Sequence, residues 1–132
     1  MNIIVLGCGR TGAYLAVKLS AAGHQVTVID KNGAAFARLG PGFAGPVVIG
    51  TGIDEDVLRR AGIQAADALL AVTDADNTNI MAAQVARDIF GVRAVICRIY
   101  DPLREAIFRD LGLDTICPTL WAAERIQAIL EK

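Results

Sequence analysis

Short runs of aliphatic and β-branched residues recur along this chain, and each is followed by a stretch with helical spacing. Asn2-Ile3-Ile4-Val5-Leu6 opens the chain as a buried strand and stops at glycine. From Arg10 to Ala22 the residues favour helix, with Leu15, Ala16 and Leu19 at helical spacing and Gly23 as the stop. Gln25-Val26-Thr27-Val28-Ile29 is the second strand, ending at Asp30. Asn32 is placed to cap a short helix through Arg38, which Gly40-Pro41-Gly42 breaks. Val47-Val48-Ile49 is the third strand. Asp54 then caps a helix from Glu55 to Ala61, with Gly62 as its end. Ala68-Leu69-Leu70-Ala71-Val72 is the fourth strand. Asp76 or Asn77 caps a longer helix to Phe90, stopped by Gly91. Ala94-Val95-Ile96-Cys97 is the fifth strand, and Pro102 opens a helix to about Leu111. Thr115-Ile116-Cys117 is a short sixth strand. Thr119 caps a final amphipathic helix with Leu120, Ala123, Ile126 and Leu130 on one face.

Strict alternation of strand and helix predicts the α/β class: a Rossmann-type, doubly wound, six-stranded parallel sheet with helices on both faces. No linker or composition shift divides the chain. The expectation is one domain over residues 1–132, without a C-terminal lobe.

The first strand runs directly into Gly7-Cys8-Gly9-Arg10-Thr11-Gly12, which fits G-x-G-x-x-G. Alone that motif is weak, since a chain with 13 glycines can produce it by chance. Its context between a buried strand and a helix makes it specific. Gly7 permits a tight turn, Gly9 lets the backbone approach a pyrophosphate, and Gly12 lets helix and strand pack closely. The helix N-terminus then presents free N–H groups and its positive end to phosphates. Asp30 ends the second strand 18 residues after Gly12, where a carboxylate accepts ribose hydroxyls and repels a 2′-phosphate. Lys31 beside it weakens that exclusion. The plainer alternative is a glycine turn and a strand-capping acid.

Ligands of open parallel sheets bind beyond the carboxyl ends of the strands. After the third strand, Gly50-Thr51-Gly52 either allows a flat group such as adenine to approach or is a plain turn. After the fourth, Thr73-Asp74-Ala75-Asp76-Asn77-Thr78-Asn79 carries more polar groups than helix capping needs. After the fifth, Arg98 closes an apolar strand. Its guanidinium needs a phosphate or carboxylate from a ligand, or an ion pair with Asp101 or Asp74.

Composition removes several function classes. Hydrophobic residues make up 54% and charged residues 20%, the balance of a packed domain rather than a disordered one. The net charge is −1 with the cations scattered, and aromatics are only 5%, so neither a nucleic-acid stripe nor a base-stacking surface is evident. Nothing reads as a targeting segment or a direct membrane insertion. Cys8, Cys97 and Cys117 share no metal-ligand spacing, so no metal site is expected and reduced, packed thiols are. A dehydrogenase needs a proton donor near the nicotinamide. His24, the one histidine, precedes the second strand at the wrong end of the sheet, and Tyr100 has no evident partner. No Walker-type lysine motif is present. Catalysis is therefore not expected.

These blocks resemble the TrkA N-terminal (KTN/RCK) family, which regulates potassium conductance. The resemblance covers essentially the whole chain. It rests on the glycine loop, Val28-Ile29-Asp30-Lys31, Ala71-Val72-Thr73-Asp74 with Asn79, Arg98-Ile99-Tyr100-Asp101-Pro102, and Cys117-Pro118-Thr119. It implies a cytoplasmic regulatory subunit, peripheral to the membrane through a potassium transporter or channel. It also implies assembly as a dimer or an octameric ring, and binding of NAD(H) or of ATP, ADP or AMP. By the resemblance, Arg10 lies near the phosphates, Asp30 holds the ribose, and Thr73, Asp74 and Arg98 line the site. Thr51 and Gly52 stand where family members commonly carry an Asp and an Ala that face adenine. The final helix, in the family, often crosses to a neighbouring subunit; the alternative is that it packs back on its own sheet. Two other functions compete with the regulatory one: a small NAD-dependent oxidoreductase, and a scaffold that only mediates assembly.

Overall fold

The computed structural model describes all 132 residues. Six strands, β1 (Asn2–Leu6), β2 (Gln25–Asp30), β3 (Val47–Ile49), β4 (Ala68–Ala71), β5 (Ala94–Arg98) and β6 (Asp114–Ile116), form one sheet in the order β3-β2-β1-β4-β5-β6. Every pairing is parallel. The helices are α1 (Arg10–Ala21), α2 (Glu55–Arg60), α3 (Asp76–Gln84), α4 (Pro102–Asp110) and α5 (Pro118–Leu130). A 3₁₀ segment at Gly33–Leu39 follows β2.

β1 is central, and Ile3 to Leu6 are all buried, as a strand covered on both faces must be. Its side chains alternate between two cores. Ile4 and Leu6 join Ile29, Leu69 and Ala71 under α2 and α3. Ile3 and Val5 join Val26 and Val28 under α1 and the 3₁₀ segment. A one-residue slip of β1 would exchange its two sets of side chains between cores of different shape, so the register is firmly set. The chain runs outward from β1 through β2 to β3, then returns to place β4 on the other side of β1. That reversal opens a crevice at the carboxyl ends of β1 and β4.

The caps differ from expectation in two places. Neither Asp76 nor Asn77 caps α3: the helix starts at Asp76, with Ala75 at the cap position. The Asp76 carboxylate instead accepts the amides of Tyr100 and Asp101 at 2.9 and 3.1 Å, because the loop leaving β5 brings two unpaired N–H groups to it. Thr119 does not cap α5, which begins one residue earlier at Pro118 with Cys117 at the cap. Proline suits that first position since it has no N–H to satisfy. The last turn before Phe90 widens to a π turn over Val85–Ile89. The expected caps at Asn32 and Asp54 form, accepting from Ala34 and Asp56.

α5 does not pack back on its own sheet: no residue in it is buried, and Trp121, Ile126, Ile129 and Leu130 are all more than half exposed. No helix is long and apolar enough to cross a membrane.

Candidate functional site

Leaving β1, the chain turns at Gly7, whose φ of 108° excludes side chains in practice. Its N–H bonds Ile29 O at 2.8 Å, and a Cβ there would lie 2.9 Å from Thr73 N. A Cβ on Gly12 would lie 1.7 Å from Gly7 O. Gly12 is therefore the packing glycine the motif calls for and does not line the cleft. Gly9 is the opposite case: a Cβ there would meet nothing within 4 Å, so the space beside it is open. α1 starts at once, with no side-chain cap and no acid in its first turn. Its amides and the positive end of its dipole are unclaimed.

Asp30 reaches back to this loop. One carboxylate oxygen accepts from Cys8 N at 2.7 Å and the other from Asn32 N at 2.8 Å. The acid thus fixes the shape of the glycine loop, and a carboxylate retains lone pairs for further donors such as ribose hydroxyls. The Cys8 thiol is buried and donates to Ala35 O at 3.3 Å. Burial foremost, and then the negative charge of Asp30, raise its pKa above the usual thiol range, against the lowering effect of Arg38.

Beyond β4, a buried side chain organises the far wall. Asn79 is fully buried. Its oxygen accepts from Thr73 N at 2.9 Å and Thr73 Oγ1 at 2.6 Å, and its nitrogen donates to Thr73 O at 3.0 Å and Arg98 O at 2.9 Å. Asn79 therefore ties the ends of β4 and β5 together and does not line the cleft, which corrects its expected place among ligand-facing residues. Arg98 forms no ion pair with Asp101 or Asp74. Its Nη2 donates to Val72 O at 2.6 Å and Thr73 O at 2.9 Å, and its guanidinium lies 4.8 Å from the Tyr100 ring centroid. Its Nε is buried with no acceptor. Asp101 instead caps α4 through Leu103 N.

One cavity of about 670 Å³ spans these pieces. Of the residues singled out in the sequence, Gly7, Cys8, Gly9, Arg10, Thr11, Asp30, Lys31, Thr51, Gly52, Thr73, Asp74 and Arg98 all line it. The volume is ordinary for a small-molecule site. Four cations, Arg10, Lys31, Arg38 and Arg98, face two carboxylates, Asp30 and Asp74, so the cleft favours an anion although the chain is net negative. Thr78, from the polar stretch after β4, lines it as well, and so do Asn32 and Arg38, which the sequence offered only as the cap and the end of a short helix. Arg38 sits in the 3₁₀ segment and reaches Cys8 O at 3.4 Å, a placement no local motif signals. The glycines of Gly50-Thr51-Gly52 have an internal reason: Cβ atoms would meet Val57 at 2.5 Å and Leu6 at 2.2 Å. They let this segment close over the core, and its outer surface then forms one wall of the cleft.

His24 lies at the amino ends of the strands, its Nδ1 3.2 Å from the Met1 amino group, away from the cleft. Tyr100 is at the cleft, stacked on Arg98.

The family model described as the TrkA-N domain matches residues 3–119. The chain belongs to the TrkA-N domain family. It is 48% identical over 126 residues to the Trk system potassium uptake protein TrkA of Streptomyces coelicolor, a match that covers 96% of this chain and 56% of that protein. The chain thus spans little more than half the length of this relative. Among solved structures it resembles the TrkA-N domain of the inner membrane protein ybaL from Escherichia coli, with a TM-score of 0.83 and 19% identity, covering 98% of this chain and 96% of that one. It also resembles an AMP-bound Kef C-terminal domain from Shewanella denitrificans, with a TM-score of 0.79 and 21% identity over 98% of this chain and 80% of that one.

Proposed function

We propose that this TrkA-N domain is the nucleotide-binding regulatory part of a potassium-uptake system, without an enzymatic activity of its own. In this reading NAD(H) or an adenine nucleotide binds in the cleft and alters how the subunit acts on a membrane transporter or channel. The domain works on the cytoplasmic side and reaches the membrane through that partner, as a homo-oligomer. The observation that carries the reading is the combination at the glycine loop: an uncapped helix N-terminus, open space beside Gly9, and Asp30 locked at the edge of a cleft rich in cations. The chemistry matches phosphates at the helix end and a ribose at the acid. The kinship with a potassium uptake protein and the AMP described in a fold neighbour support the same reading.

Ligand-dependent thermal stability tests it, with NAD, NADH, ATP, ADP, AMP and NADP in parallel. A ligand at about a hundred times its dissociation constant adds roughly 2.7 kcal/mol, which raises the midpoint by several degrees in a domain of this size. The expected result is a rise with one or more of the first five and little with NADP, and an Asp30→Ala variant should lose most of it while assembling as before. No rise with any nucleotide would leave the assembly scaffold as the better account.

A further inference from the structure

The residues lining the cleft divide about the glycine loop. Asp30, Lys31, Asn32, Arg38 and Gly50-Thr51-Gly52 lie on the β2 and β3 side, and Thr73, Asp74, Arg98 and Tyr100 on the β4 and β5 side. β2 and β5 are three strand spacings apart across the sheet, or about 14 Å. A mononucleotide with its ribose at Asp30 and its phosphates on α1 occupies the first side and the centre. The second side then remains for whatever follows the phosphates.

What the second side offers is an aromatic surface. Tyr100 is the one aromatic residue lining the cleft, and 38% of it is exposed. Its backbone is anchored on both sides. The Asp76 carboxylate takes its N–H at 2.9 Å, and its carbonyl accepts the Cys117 thiol at 3.6 Å. The Arg98 guanidinium stacks on its ring and is itself held by Val72 O and Thr73 O. With Nη2 committed to two carbonyls, the Arg98 guanidinium is held in place against the ring. A part-exposed ring on an anchored backbone, backed by a cation, recognises a flat heteroaromatic group.

We propose that the Tyr100–Arg98 stack is the platform for the second planar ring of a dinucleotide, and that Tyr100 is the residue by which the cleft prefers a dinucleotide to a mononucleotide. This rests on the nucleotide reading above and narrows it. Calorimetric titration of the chain with NAD, ADP-ribose and ADP tests it. ADP-ribose carries every group of NAD except the nicotinamide ring. The parent chain is expected to bind NAD more tightly than ADP-ribose. Tyr100→Ala should weaken NAD about tenfold, a typical loss for one stacked base, and leave ADP-ribose and ADP within about twofold. Tyr100→Phe keeps the ring and should restore NAD binding. Equal losses for NAD and ADP-ribose in Tyr100→Ala, or no loss for either, would overturn the platform. So would a parent chain that binds ADP-ribose as tightly as NAD, although the nucleotide reading would then survive. Failure to bind all three would remove both.

Discussion

Three glycines that look equivalent in the motif have different physical jobs, and substitution separates them. Gly12 faces backbone, so Gly12→Ala forces a Cβ against Gly7 O. It should destabilise the fold by about 1–3 kcal/mol or more, as overpacking does, seen as a lower urea midpoint. Gly9→Ala meets nothing in the protein. It should shift stability by less than about 1 kcal/mol and, on the proposed nucleotide reading, weaken nucleotide affinity, because the methyl enters the open space assigned there to a phosphate. If Gly9→Ala binds nucleotide as the parent does, the phosphates do not lie there. Cys97 supplies a pH test. Burial, and secondarily the charge of Asp76, push its pKa up to about 12, whereas in the unfolded chain it titrates near 9.0, as an ordinary thiol does. A raised folded pKa means its contribution is intact below pH 9 and is lost as pH rises from there toward 12. Unfolding midpoints should fall across that window, and less steeply in Cys97→Ala. Equal slopes would show that the thiol is not held protonated by the fold.

α5 stands apart among the elements. Leu120, Ala123, Ile126 and Leu130 form the apolar stripe expected of an amphipathic helix, yet from Trp121 onward every residue is exposed. α4 adds Leu103, Ile107 and Leu111, spaced one turn apart and all half exposed or more. Exposed apolar stripes of this kind are characteristic of an interface. Ile126→Glu combined with Leu130→Glu should therefore lower self-association in sedimentation experiments. Thermal stability at low concentration should change by less than about 1 kcal/mol, as expected for exposed sites. A large loss of monomer stability would mean that α5 packs on its own domain after all. The third helix carries the opposite lesson. Its first residue, Asp76, was available as a cap and serves instead as a clamp on the Tyr100 and Asp101 amides, linking α3 to the loop that carries part of the cleft wall.

At the scale of the molecule, the site is the crevice created where the strand order reverses between β1 and β4. Its cations come from four separate segments, α1, the β2 exit, the 3₁₀ segment and β5. Each of these contributes a single cation to the cleft, and the net charge of the chain is −1. The cationic lining of the cleft therefore exists only once the sheet has assembled. The central place of Asn79, which bonds both Thr73 and, 19 residues further along the sequence, Arg98, likewise exists only in the folded chain.

The sequence by itself determined the alternation of strands and helices, the parallel sheet, the glycine loop, the acid at the end of β2 and most of the cleft lining. These rest on local rules: side-chain period, cap chemistry, and the need for glycine where φ is positive or the backbone is crowded. What only the tertiary structure decided depends on groups distant in sequence. Arg38 entered the site because the 3₁₀ segment folds back on the loop. Arg98 took backbone carbonyls instead of a carboxylate because β4 ends beside it. Asp76 did not serve as a cap because its carboxylate takes the amides of Tyr100 and Asp101, and Thr119 did not because Pro118 already opens the helix. The glycines of residues 50 and 52 owe their places to Val57 and Leu6, neighbours that a reading along the chain does not reveal.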